Sequence, residues 1–121
     1  MKGRISFSTI GNTYLHQMRD QINNAEDRAD LGRSFSFTVT NFLKEVLSDH
    51  NLEIEDGDVI FDPEAKDFYS INEDLQNRPV FRELWQESDL ASQLKKFAES
   101  TYHRYLHLGK HLEKTRLKIR N

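Results

Sequence analysis

The sequence predicts a mainly α protein, a helical bundle of three or four helices with an inserted β-hairpin or small antiparallel meander at about residues 52–71. Three observations lead there. Apolar residues recur at three- and four-residue spacing in long stretches near both ends of the chain. Between those stretches, Asp56-Gly57 sits in a run that alternates with a period of two. The chain has 121 residues, the usual size of one domain and too few for two well-buried cores, so residues 1–121 are read as a single domain.

Taken in order, Ile5, Phe7 and Thr9 alternate with Ser6, Ser8 and Ile10, the pattern of a short strand over a brief run. Gly11-Asn12-Thr13 then offers a turn and a helix N-cap. Leu15, Met18, Ile22, Ala25 and Ala29 follow as one narrow apolar stripe, with Gly32 read as the stop of that helix. So narrow a stripe predicts docking along one neighbour. Phe35, Phe37 and Val39 fit a strand, but a helix from about Ser36 to His50, capped by Ser34 or Ser36, explains more of the apolar positions.

Asp-Gly in alternating sequence favours a two-residue turn, because Gly accepts positive φ without a Cβ clash and Asp does so at low cost. The register implied sets Ile54 opposite Val59 and Leu52 opposite Phe61, with Asp62-Pro63 ending the second strand and Phe68–Ile71 as a third. Asn77-Arg78-Pro79 opens a further helix, since Pro is tolerated in a first turn where its missing N–H is not needed. Its apolar residues are Val80, Phe81, Leu84 and Trp85, of which Phe81, Leu84 and Trp85 are read mainly as core. At about 100° per residue they point away from the stripe of Leu90, Leu94, Phe97, Thr101, Tyr105, Leu108 and Leu112. The mismatch predicts a break at Ser88-Asp89. A last helix should then run from about Leu90 to Arg116, loosened at Gly109, with the basic end 110–121 protruding.

Composition narrows the function classes. Hydrophobic residues are 36% of the chain against 31% charged, so the core should be thin, and a thin core predicts completion by a partner or a second copy. With no Cys, disulfides, thiol nucleophiles and thiolate metal sites are excluded. No apolar run reaches membrane-spanning length, and Ile5–Ile10 is too polar for a secretion signal, which sets the expectation at a cytoplasmic protein without membrane contact.

The net charge of -3 hides a segregation. From Glu45 to Asp74 there are eleven acidic residues and one base, Lys66, whereas His103–Asn121 holds six bases against Glu113. Those six, Arg104, Lys110, Lys114, Arg116, Lys118 and Arg120, are the candidate nucleic-acid-binding residues, with Tyr102 and Tyr105 nearby. Equally, cations late in a helix offset the negative end of its dipole. A third use is mutual, the basic end of one chain meeting the acidic hairpin of another.

His103, His107 and His111 lie four residues apart, a spacing that lets imidazoles share a transition metal, but their angular position faces solvent and no metal site is assigned. The acidic stretch lacks the spacing of a calcium loop. The five Gly are never closer than eight residues, which excludes a Gly-rich phosphate cradle. Arg104 and His111 stand seven apart on one helix edge, and the pair resembles the Arg-x(4–6)-His motif of the HEPN family, small all-helical and usually dimeric domains. That resemblance implies a ribonuclease in which Arg104 would steady the phosphate and His111 would move the 2′-hydroxyl proton. The leading expectation is non-catalytic and cofactor-free: a protein-interaction or regulatory module, forming a homodimer or binding a protein partner. Nucleic-acid binding through the basic helix is the alternative, and the HEPN-like ribonuclease is third.

Overall fold

The computed structural model describes residues 5–120, and the side chains of residues 5–109. Within them three long helices, α1 (Ser8–Asn23), α2 (Arg28–Val46) and α5 (Leu90–Arg120), pack pairwise around a shared core. An antiparallel pair, β1 (Val59–Phe61) and β2 (Tyr69–Ile71), is inserted after α2, and the short helices α3 (Glu73–Gln76) and α4 (Pro79–Glu87) lead into α5. This is the mainly α bundle with an inserted hairpin that the sequence predicts. Among the described residues, no helix is long and apolar enough to cross a membrane.

The N-terminal strand reduces to a single parallel bridge, in which Ile5 pairs with Ser88, and α1 begins at Ser8. Its first turn is capped from another element. The Phe7 N–H donates to Asp89 Oδ1 at 2.7 Å, so no turn at Gly11 is needed. Gly11 lies inside α1, where a Cβ would collide with the buried Gln93 side chain.

Gly32 does not stop the first helix either. The chain leaves α1 at Asn23, and Asp27 caps a new helix by accepting the Asp30 N–H at 2.9 Å, while Asp30 reaches back to accept the Glu26 N–H at 3.2 Å. The arrangement is a variant of the capping box in acidic residues, with the return bond taken from the residue before the cap. Gly32 sits within α2, with open space where a Cβ would be. Ser36, expected as a cap, instead donates its hydroxyl to the Val59 carbonyl at 3.3 Å and ties α2 to β1. α2 buries Leu31, Phe35, Val39, Phe42, Leu43 and Val46 and is the central helix.

The hairpin forms with a different partner from the one expected. Val59 pairs with Ile71, Ile60 with Ser70 and Phe61 with Tyr69, while residues 52–55 make no strand. The turn at Gly57, whose φ is +91°, closes on itself: Asp58 accepts the Glu55 N–H through its carboxylate at 2.9 Å and donates its own N–H to the Glu55 carbonyl at 3.1 Å. The Asp58 carbonyl then takes the Asn72 N–H at 2.6 Å, so the ladder grows toward β2. Ile54 still enters the core and Leu52 packs against it.

The break at Ser88-Asp89 is where the angular mismatch puts it. Ser88 is buried, donates its hydroxyl to the Leu84 carbonyl closing α4, and accepts the Leu90 N–H at 3.1 Å opening α5. Phe81 and Leu84 are core, and Trp85 packs half-buried against it. α5 passes Gly109 without interruption and reaches Arg120; at about 1.5 Å per residue its 31 residues measure about 46 Å. The Arg28 guanidinium lies over Gly109, where a Cβ would displace it. The expected protrusion of 110–121 falls outside the described side chains.

Candidate functional site

Helical periodicity gives α5 two distinct flanks beside its buried face of Leu94, Phe97, Thr101 and Leu108. One flank carries Tyr102 and Tyr105 toward the hairpin. The Tyr102 ring stacks on Phe68 with centroids 3.9 Å apart and planes 5° from parallel, and Tyr105 leans on Phe61 at 5.7 Å. Arg28 closes the row, its guanidinium 3.6 Å from the Tyr105 ring centroid and its Nε donating to the Tyr105 carbonyl at 3.2 Å. These aromatic faces are already occupied by one another.

The other flank, carrying Lys96, Ser100, His103, Arg104 and His107, faces α1 across an open groove. Two adjoining depressions, of about 440 and 340 Å³, share Arg19, Ser100 and His103. Leu15 and Ile22 line their apolar part, and Asn12 and Asn23 complete the α1 wall. Arg19 reaches across to the Ser100 hydroxyl through Nε and Nη2, at 3.4 and 3.5 Å.

Arg104, the candidate residue from the sequence, has a defined duty in this groove. Its Nε donates to the Ile22 carbonyl at 3.0 Å and its Nη2 to the Asn23 carbonyl at 3.1 Å. The last carbonyls of a helix have no intrahelical partner and carry the negative end of the dipole, so a guanidinium there both satisfies and neutralises them. Among the described residues, Arg19, Lys96 and Arg104 have no ion pair; the one pair present joins Arg33 to Asp30 on α2. Among the described residues, Glu99 is the single acidic one on the groove wall.

Lys110, Lys114, Arg116, Lys118 and Arg120 lie outside the described side chains, on the continuation of the same helix. His111 does too. His103 and His107 are exposed, as their angular position implies, and the described residues hold no group of three His, Cys, Asp or Glu able to share a metal. The sequence reading missed Arg19 and Lys96. Their signal was present but faint: Arg19 adjoins the Leu15–Met18–Ile22 stripe, and Lys96 precedes Ser100 and Arg104 at four-residue intervals. A smaller pocket of about 230 Å³, between Trp85, Phe81, Arg82 and Gln76, lies near the end of the hairpin.

No family model matches the chain, and neither curated proteins nor solved structures include a significant match.

Proposed function

We propose that this protein is a small non-catalytic interaction module whose working surface is the groove between α1 and α5, built for an acidic partner. The observation that carries this reading is a pair of cations, Arg19 and Lys96, along an open groove with no ion pair among the described residues, beside Arg104, whose charge is partly offset by the end of α1. Charges left uncompensated on a folded surface are available to a partner, and they raise its encounter rate and fix its orientation. Arg104 supports binding over phosphoryl chemistry, because two of its donors are committed to the backbone of α1. A second copy of the chain is among the partners this reading admits, through its acidic 45–74 segment.

Heparin chromatography tests the proposal. The wild-type protein is expected to be retained at low salt and released by a salt gradient, while Arg19→Glu with Lys96→Glu elutes in the flow-through. Equal retention of the two would remove the groove as the working surface.

A further inference from the structure

We infer that the acidic partner of the α1–α5 groove is the phosphodiester backbone of a nucleic acid, held without regard to base sequence. The inference rests on the groove being the interaction surface, and it adds what fills it.

The lining decides between a nucleic acid and an acidic protein. Protein–protein interfaces centre on apolar and aromatic anchors and are depleted of Lys. Among the described residues this groove has no Phe, Tyr or Trp in its lining, and its apolar contribution is limited to Leu15 and Ile22. What it presents instead, beside the one carboxylate of Glu99, is the donor set that contacts phosphate and sugar: Arg19 and Lys96, the Ser100 hydroxyl, and the amides of Asn12 and Asn23. Interfaces with nucleic acid are the polar, strongly positive ones.

Shape agrees with chemistry. Lys96 and Arg104 follow one edge of α5 and Arg19 faces them from α1. From Lys96 to Arg104 that edge rises about 12 Å, an elongated contact suited to a linear polyanion. The tyrosines of this helix offer no base stacking in the groove, because Tyr102 and Tyr105 sit on the opposite flank and are engaged by Phe68, Phe61 and Arg28. Binding through the backbone alone is sequence-tolerant and steeply salt-dependent.

Fluorescence anisotropy with a labelled oligouridylate of about 20 nucleotides, a mixed-sequence oligonucleotide and a poly-glutamate peptide of equal charge tests this. Both oligonucleotides are expected to bind with similar affinity. Each phosphate neutralised on a single strand contributes about -0.7 to the slope of log K against log salt, so Arg19→Glu with Lys96→Glu should flatten that slope by at least about 1.4. Should the double variant not fold, the exposed Lys96→Glu alone carries the test with half that change. An unchanged slope, or a strong base preference, overturns the inference. Poly-glutamate binding without oligonucleotide binding overturns it too, yet leaves the interaction module standing; failure of both probes together with no retention of the wild-type protein on heparin takes down both readings.

Discussion

Asp89 serves two helices with one carboxylate. It accepts the Phe7 N–H at the start of α1, the Ser6 hydroxyl at 3.0 Å and the Gln93 amide at 3.1 Å within the first turn of α5. Burial alone would raise its pKa, but the hydrogen bonds outweigh burial and hold it below the usual carboxylate value. A carboxyl with a depressed folded-state pKa stabilises the fold above its unfolded value, near 4, and that contribution is lost as pH falls through the folded-state pKa. Asp89→Asn should therefore unfold with a weaker dependence on pH below about 4 than the wild type, in urea titrations monitored by circular dichroism. An identical acid limb in both proteins would show that Asp89 does not govern it. Arg104 makes the matching argument at the other end of α1. Arg104→Ala orphans the Ile22 and Asn23 carbonyls and should cost about 1–3 kcal/mol, with Arg104→Lys recovering part, because an ammonium keeps the charge but loses the planar fork. A urea midpoint unmoved by Arg104→Ala would mean that water replaces the guanidinium at no cost.

Elements were legible where side-chain direction decided them, and illegible where a distant group did. The α4–α5 break could be read because Phe81 and Leu84 point away from the stripe that begins at Leu90, a mismatch no straight helix absorbs. The α1 start could not, since its cap is Asp89, more than 80 residues away. Gly32 misled because Gly costs a helix only about 1 kcal/mol and ends it only where positive φ is required; the acidic box at Asp27 and Asp30 was the better signal. The hairpin turn was legible at Gly57 but its pairing was not, because Asp58 spends its groups on Glu55 and Asn72. In the candidate site, Arg104 stood out at the edge of the apolar stripe, whereas its acceptors emerged only once α1 was seen to end at Asn23. The loop between β1 and β2 carries its own test. Phe68 has φ of +70°, a costly conformation for a bulky residue, and is held by its stack on Tyr102 and by hydrogen bonds to Asp62 and Ala65. An aromatic pair is worth about 0.5–1.5 kcal/mol beyond its buried area, so Tyr102→Ala should speed amide exchange at Asp62 and Phe68 by up to about tenfold. Exchange in α1 and α2 should hold steady. If the two loop amides stay as protected as in the wild type, the stack is not what secures the loop.

At the scale of the molecule, charge is sorted by position rather than balanced by pairing. The segment from Glu45 to Asp74 carries -10, and the described residues hold a single ion pair, on α2 and outside that segment. Its carboxylates repel one another, with few attractive pairs for salt to weaken. Screening acts over a Debye length of about 10 Å at 0.1 M salt, comparable to the spacing of charges on a short hairpin, so added NaCl should relieve more repulsion than attraction. The thermal midpoint is accordingly expected to rise by a few degrees between about 20 mM and about 500 mM NaCl, a salt chosen because it avoids the surface exclusion of sulfate and phosphate. Oligonucleotide binding should weaken over the same range, because the released counterions then return to a more concentrated solution. Opposite responses to one variable, from opposite flanks of α5, are the signature of segregated charge. A midpoint that falls as salt is added would show instead that attraction between the flanks helps hold the fold, and that the groove cations are already engaged within the chain.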